Sequence, residues 1–479
     1  MRGLPAAETR PTTRSRRWDA VILGGALPGL ITAVRLGMRG ARVLVLEEEA
    51  AADPREPFWI SGAQKESVLG ACLRALSVPL IDQRRIEPDS LAFQMVLPDA
   101  RLDLGEPRLT VDEWVAWGLA KPEQARALVV ALSDAATAER EALLEAPFVR
   151  TPRRLPLAGR RPAGAVLNPA LMRSEMEPRR PARGLPAEIA AAPARLAFLL
   201  AAQTHALSNL GAAQPSDAAR ARLLGAPLEG GAAVRGDNPR LCDILRRRIE
   251  SLYGEFRSVP EVFRLVSAGG QPGVAPDAAG ESSEIWVGRV FVLNAPREAL
   301  AAAVTQDPVP EILRVPPARR RRITLRFRAE RDALPEPMAP RVIVVRDENL
   351  PPEGTNIVTL RRFPPDRSGS VDLLASAVVA TDEPDPGARE AEITDALTGL
   401  MPFAEGKLVR VRAPEPRWDH DALLADPPAG VGWPAEIELR LPTKQPIYQL
   451  DRAAAGGLGF EGDTLLGWRG GDAIAADLA

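Results

Sequence analysis

The sequence predicts an α/β protein with a parallel, dinucleotide-type sheet begun at the start of the chain and completed in its middle, followed by a second, antiparallel sheet. Three observations carry this. Residues 20–49, AVILGGALPGLITAVRLGMRGARVLVLEEE, read as strand, tight glycine turn, helix and second strand in one piece. Residues 456–462, GGLGFEG, form a second glycine loop that leads into another helix more than 400 positions later. Between them, the stretches at 323–327, 341–346, 356–361, 371–379 and 407–412 read as strands, the first alternating apolar residues with arginine as a half-solvated face does.

In the opening unit, Ala20–Leu23 and Val43–Leu46 are short, wholly apolar runs, as strands covered on both faces require. Parallel strands need a crossover, and Leu30–Arg39, stopped at Gly40, supplies a helical one. The turn Gly24-Gly25-Ala26-Leu27-Pro28-Gly29 then sits at the helix N-terminus, where peptide dipoles leave partial positive charge. With Glu47 closing the second strand, this is the geometry of a dinucleotide pyrophosphate site, the acid being placed for a ribose hydroxyl pair. In G-x-G-x-x-G the middle glycine lets backbone approach phosphate; Ala26 stands there in this chain.

Composition bounds the function. A chain of 479 residues is long for a single core, so two or three lobes are expected. The net charge of −2 gives no global attraction to nucleic acid or anionic membrane. Only four of the 61 basic residues are lysine, at 65, 121, 407 and 444, a bias read as coding composition. Two cysteines, Cys72 and Cys242, lie far apart without ligand spacing, which argues against a disulfide framework or zinc site. His205 and His420 are the only histidines and are read as packing or surface residues, leaving little for a histidine-based metal centre or triad. Residues 1–17 carry five arginines and no apolar core, so a disordered basic tail is expected there and not a secretory signal. The longest apolar stretch, Ala190–Leu207, is interrupted by Pro193 and Arg195 and predicts a buried helix, so no transmembrane segment and a cytoplasmic, soluble protein are expected.

The remaining elements follow in order. A proline-rich link leads to Phe58-Trp59-Ile60-Ser61-Gly62-Ala63, then a helix over Glu66–Leu76 with Val68, Leu69, Cys72, Leu73 and Leu76 on one face. Leu91–Val96 and Arg101–Leu104 read as strands across a Pro98-Asp99-Ala100 turn. Val111–Gly118 and Pro122–Leu143 read as helices. Arg150–Arg183, crowded with arginine and proline, reads as a surface excursion. Asn238–Leu252 is an arginine-rich amphipathic helix; strands follow at Val262–Val266, Ile285–Val287 and Arg289–Leu293, the last running into Asn294-Ala295-Pro296. Arg319–Arg322 precede the alternating strand Ile323–Phe327 and read as a half-solvated face. Glu390–Leu400 is the clear helix of this part, Gln445–Leu450 a last strand, and a closing helix is expected from near Asp463.

Four blocks, VILGGALPG with VLVLE, EGGAAVRGDNPRLCDILRRRIE with GEFRSVPEVFRL, RVFVLNAP, and GGLGFEGDTLLG, resemble the FAD-dependent amine oxidase and phytoene desaturase superfamily in order and spacing over most of the chain. The resemblance implies a Rossmann-type FAD-binding domain, parallel sheet plus small antiparallel meander, assembled from residues 18–95, 225–315 and 444–479. An inserted α+β substrate domain on an antiparallel sheet would take 96–224 and 316–443. It further implies that Gly24, Gly25, Ala26 and Gly29 face the FAD pyrophosphate, that Glu47 meets the adenosine ribose, and that Val262 lies beside the adenine. Gly457, Gly459 and Gly462 would lie near the pyrophosphate and flavin. The family's Gly-Gly-Arg segment is absent, Ser61-Gly62-Ala63 being the nearest substitute, and its closing Ala-Gly pair is replaced by Leu450 and Asp451, with Arg452 the adjacent cation. Lys444, Tyr448 and Trp468 are positions that relatives would place near a flavin, set against plain surface or core roles. The implied activity is hydride transfer from a small, largely apolar substrate or an amine to FAD: oxidation, desaturation or isomerisation. No catalytic residue and no oligomeric state is assigned. Two other readings of the motifs stay open: a relative that has lost FAD and serves as a binding or scaffold protein, and an NAD(P)-dependent dehydrogenase using the first glycine turn alone.

Overall fold

The computed structural model describes residues 4, 14–48, 57–145, 149–150, 184–208, 215–235, 240–260, 262–276, 284–412, 418, 423–424, 437–455 and 457–478. The arginine- and proline-rich stretch 151–183, most of residues 1–13 and His420 therefore lie outside the described residues.

The first sheet has the order β8 (Glu255–Val259), β2 (Val43–Glu48), β1 (Arg14–Leu23), β11 (Glu284–Leu293), β10 (Gln271–Pro276), β9 (Phe263–Ala268), with β19 (Ile447–Gln449) also paired to β11. The β8, β2, β1, β11 and β19 pairings are parallel, and β10 and β9 form the antiparallel meander. Helix α1 (Leu27–Met38) crosses from β1 to β2. Two stretches differ from expectation. β1 begins at Arg14, inside the segment expected as a tail, because Arg14–Arg17 pair with Glu284–Val287 and Arg16 forms an ion pair with Glu284. The two strands expected at 285–293 are one continuous strand for the same reason: β1 supplies a partner along the whole length.

Both faces of this sheet are covered, which explains the uninterrupted apolar runs. On one side α1 packs with α2 (Val68–Ala75), α8 (Leu241–Ser251) and α11 (Gly459–Leu478) around Ile22, Leu30, Val45, Ile244 and Leu466. On the other, Leu23, Leu44, Phe263 and Phe291 meet Leu300 of α9 (Arg297–Ala303), with Leu4 and Trp418 also in that core. α2 is capped by Ser67, whose Oγ accepts a hydrogen bond from the Gly70 N–H at 2.9 Å, so the helix starts at Val68, the first residue of its apolar face and two residues after the expected Glu66. The short helix α3 (Leu80–Gln83) follows it.

The second sheet runs β16 (Leu408–Val411), β12 (Arg320–Glu330), β15 (Ser370–Ala380), β14 (Ile357–Arg362), β13 (Arg341–Val345), β4 (Leu91–Val96), β5 (Arg101–Gly105), with β17 (Leu423–Leu424) paired to β12. All its pairings are antiparallel except β13 with β4. One face buries Ile323, Leu325, Phe327, Leu373 and Ala375 against α10 (Pro386–Leu400). On the other, the β13, β14, β4 and β5 end is covered by α4 (Pro107–Ala116), α5 (Pro122–Glu145), α6 (Ala194–Leu207) and α7 (Asp217–Gly225). Two small ladders, β3 (Ile86–Asp89) with β7 (Gly231–Val234) and β6 (Val149–Arg150) with β18 (Ile437–Glu438), complete the described strands.

Candidate functional site: the glycine turn and the closing helix

The first glycine turn lies where β1 ends, and its shape is set by the residue following β11. Gly24 has φ +112°, and a Cβ there would stand 2.6 Å from the Asn294 carbonyl oxygen. Asn294 Nδ2 donates to the carbonyls of Gly24 at 2.9 Å and Ala26 at 3.1 Å, and a Cβ on Gly29 would stand 2.3 Å from that same nitrogen. Both glycines are thus required by the protein's own packing. Gly25 differs: its open side is filled by the Glu47 carboxylate, which forms an ion pair with Arg246, itself 4.6 Å from the Phe256 ring centroid. Ala26 occupies the N-cap of α1 with φ −70° and ψ 163°, ordinary extended backbone for any residue. The first turn of α1 carries no acid, and Pro28 there contributes no N–H.

The closing loop is held differently. α11 starts at Gly459, four residues before the expected position, so Gly459 and Gly462 belong to its first turn and not to a preceding loop. The packing gives the reason. Gly459, at φ +54°, presents its α-carbon to the Leu207 carbonyl, which a Cβ would approach to 2.2 Å, and Gly462 packs on Ala455 and Leu458. Gly457, at φ +89°, makes the bend before the helix. Two acids sit in the buried start of α11, each neutralised. Glu461 takes a bidentate pair from Arg222, at 2.9 and 2.6 Å. Asp463 takes Arg452, the cation expected beside Asp451. Arg222 is 1% exposed and also reaches the Ala136 carbonyl and Glu229; burial disfavours its charge, but the two carboxylates hold its pKa above the ordinary arginine range.

The two sites are tied together by close helix packing. Gly467 lies on Pro28 and Ile31, Gly471 lies on Thr32 and Arg35, the Thr32 hydroxyl donates to the Gly467 carbonyl, and Arg35 pairs with Asp472. Contacts that advance together along both helices mean that α1 and α11 run parallel, in step. α11 begins eight residues before Gly467, whereas α1 begins only one to four residues before the Pro28 and Ile31 that Gly467 meets, so the α11 N-terminus overshoots that of α1 by about 8 Å, at 1.5 Å per residue. At the same edge of the sheet, two buried side-chain oxygens have no hydrogen-bond partner: Asn294 Oδ1, just after β11, and Gln449 Oε1, opposite Leu293.

The other expected positions divide. Val262 is half-buried, just past the end of β8, which lies beside β2 and Glu47. Ser61 is buried and bridges to Gly231, while the Ile60 carbonyl accepts the Ala232 N–H at 3.0 Å; this segment thus docks on β7. Lys444 is exposed in the turn that precedes β19. Tyr448 is buried core, its hydroxyl donating to Asp477 at 2.6 Å, and Trp468 lies against Arg469. Cys72 and Cys242 are buried thiols outside any disulfide, and burial pushes the Cys72 thiol up to about 12. His205 is enclosed at the end of α6, its Nε2 buried without a hydrogen-bond partner; burial, then the charges of Arg322 and Arg320, lower its pKa to about 4. Among the described residues, no group of three or more His, Cys, Asp or Glu is arranged to hold a metal ion, and no helix is long and apolar enough to cross a membrane.

Sequence reasoning missed Asn294 and Arg222 as organising residues. Asn294 had a signal, an amide immediately after a buried strand; Arg222, in a helix of mixed composition, had none.

No family model matches this sequence, and no curated protein matches it. Its structure is similar to that of an oxidoreductase from Methanosarcina mazei, with a TM-score of 0.53 at 13% identity over 94% of this chain and 99% of that one. It also aligns with a triple mutant of putrescine oxidase from a redesign of cofactor binding, with a TM-score of 0.49 at 14% identity over 97% of this chain and 100% of that one. Cyclohexylamine oxidase from Brevibacterium oxydans aligns with a TM-score of 0.46 at 15% identity over 96% of this chain and 99% of that one. At 13% identity, the likeness to the Methanosarcina mazei oxidoreductase establishes a shared fold.

Proposed function

We propose that this chain is an FAD-dependent oxidoreductase acting on a small molecule, with the cofactor spanning the two glycine sites and the second sheet contributing the substrate side. The observation that carries this reading is the in-step packing of α1 and α11, which leaves two helix N-termini at one sheet edge, staggered by about 8 Å. A ligand with a pyrophosphate at one end and a planar ring system further out suits such a stagger better than a compact one.

The residues present fit the group. The acid-free first turn of α1 suits the pyrophosphate, which would lie along Gly24, Gly25, Ala26 and Gly29. Glu47, with Val262 nearby, would meet the adenosine. Gly457, Gly459 and Gly462 would border the outer end, where Glu461 and Asp463 do not repel an anion because Arg222 and Arg452 neutralise them. The buried oxygens of Asn294 and Gln449 are acceptors that a polar ligand at this sheet edge would satisfy. FAD, when bound, supplies an acceptor for hydride. This chain's residues then have the tasks of orienting substrate, excluding water and holding the cofactor's charge, so no acid–base pair is required of them.

The test is an absorption spectrum of the purified protein, with a titration of FAD followed by quenching of flavin fluorescence. A flavin spectrum released on denaturation, or saturable one-to-one binding, is expected. Colourless protein that neither quenches FAD nor gains thermal stability from it overturns the proposal; stabilisation by NADH and not FAD would point instead to a nicotinamide dehydrogenase.

A further inference from the structure

Glu47 follows the apolar run of β2, and its carboxylate turns back over the first glycine turn, filling the space that a side chain on Gly25 would take. A carboxylate and a pyrophosphate on one turn repel each other. The Glu47 side chain is only 17% exposed, so water screens that repulsion weakly. Left alone, the acid would oppose the attraction that the peptide dipoles at the α1 N-terminus offer an anion.

The opposing charge arrives from α8. Arg246, Arg247 and Arg248 are consecutive there, and at 3.6 residues per turn their side chains point about 100° apart. Arg247 turns to Asp82 and Arg248 to the Leu76 carbonyl, whereas Arg246 forms its ion pair with Glu47. Phe256 pairs with Val45 and Ser258 with Glu47, so Phe256 and Glu47 project from the same face of the sheet, the one that α1 and α8 cover. The Arg246 guanidinium lies 4.6 Å from the Phe256 ring centroid, held between a carboxylate and an aromatic face. Asp243, one turn earlier on α8, keeps a buried Oδ2 without a hydrogen-bond partner, so Arg246 is committed to the glycine turn and not to its own helix.

From this geometry we infer that Arg246 is a positioning residue for the cofactor: it fixes the Glu47 carboxylate over Gly25 and offsets its charge, so that an acid and a pyrophosphate share one turn. The same device operates at the closing helix, where Arg222 and Arg452 neutralise Glu461 and Asp463. The inference rests on the reading of the turn as an FAD site and adds a specific consequence. The contribution of Arg246 depends on the phosphates of the ligand, whereas an arginine that only tied α8 to β2 would affect charged and uncharged ligands of the turn alike.

The affinities of FAD, ADP and adenosine, measured by flavin quenching and by competition against it in the full-length protein freed of bound flavin, separate these roles. Arg246→Gln is expected to weaken FAD and ADP at least tenfold and adenosine less than threefold. Arg246→Lys should regain part of the loss. Removing the acid as well, by Glu47→Gln with Arg246→Gln, should bring ADP to within threefold of its affinity for Glu47→Gln alone. That single variant, which keeps the cation and loses the acid, should raise the preference for ADP over adenosine, and it tests the inference even if Arg246→Gln fails to fold. Arg247→Gln, whose side chain turns away to Asp82, should leave all three ligands within twofold. Wild-type protein that binds FAD while Arg246→Gln binds FAD and ADP equally well overturns the inference and leaves the cofactor reading standing. Equal loss of ADP and adenosine also overturns it, as does a Glu47→Gln variant with no gain in ADP preference. Wild-type protein that binds neither FAD nor ADP removes both readings.

Discussion

The two glycine sites look alike in sequence and differ in what holds them. At Gly24–Gly29 the glycines admit a neutral amide, Asn294, and the helix beyond keeps an acid-free N-terminus. At Gly457–Gly462 the glycines admit the end of another helix, and the helix start carries two buried acids, Glu461 and Asp463, that need the arginines Arg222 and Arg452. One is arranged around what it leaves open, the other around internal charge pairing. The pair of sites teaches that a glycine loop before a helix specifies close approach without saying what approaches.

The largest test of that contrast is at Arg222. Its removal by Arg222→Met leaves Glu461 buried without a partner, and a loss of about 3–5 kcal/mol is expected from urea unfolding. The double variant with Glu461→Gln should be more stable than the single one, since it removes the orphaned charge. At Asn294, Asn294→Ala leaves only neutral carbonyls and should cost much less, about 1–2 kcal/mol. A closing site indifferent to Arg222 would erase the distinction.

A second test uses the glycines themselves. Gly24→Ala and Gly459→Ala both force a Cβ into a carbonyl at positive φ, and each should cost roughly 2–4 kcal/mol. Gly40→Ala also sits at positive φ, 82°, but with nothing within 4 Å, so about 1 kcal/mol is expected there. The sites then diverge in ligand binding: Gly24→Ala should abolish FAD quenching, and Gly459→Ala should weaken it only in proportion to lost stability.

How much of this was legible follows the range of each interaction. The α1 crossover and the alternating strands come from local patterning, which is why Leu91–Val96 coincides with its strand and the β12 alternation reads directly as two faces. The start of β1 at Arg14 was hidden because polar residues form a strand there only through a partner 270 positions away. Glu47 and the glycine turn were legible as a motif, but the Arg246 partner and the Asn294 brace were not, since both arrive from distant elements. Charge pairing over such separations leaves no periodic trace. The arginine run at 319–322 was read as half-solvated; the contact of Arg322 with the Ser208 carbonyl comes from a distant element and left no trace in that pattern.

The pH dependence probes the closing site, because His205 lies two residues before the Leu207 carbonyl that meets Gly459. Its folded pKa of about 4 is below the unfolded 6.5, so above pH 7 both states are neutral and nothing is gained or lost. As pH falls from 6.5 toward 4, the unfolded chain takes up a proton that the folded one refuses, and stability drops, by roughly 2–3 kcal/mol in all. His205→Gln removes that slope. The stability difference between variant and wild type, from urea curves at pH 7.5, 6, 5 and 4, should be flat above 7 and shift in the variant's favour below 6.5.

The smallest expected effect falls on the first site, at Ala26. Its backbone needs no glycine, with φ −70° and ψ 163°, and its carbonyl already accepts from Leu30 at 3.2 Å and from Asn294 at 3.1 Å. Ala26→Gly therefore gains nothing in the fold and costs about 0.5–1 kcal/mol through the unfolded chain. Only a ligand pressed against this residue would profit from the missing methyl, and relief of that contact by about 1 kcal/mol would raise FAD affinity roughly fivefold. A variant that is slightly less stable yet binds FAD more tightly would set the pyrophosphate against this turn. If both quantities fall together, the turn carries strand-to-helix geometry alone, and the cofactor must be held chiefly through Glu47 and the closing helix.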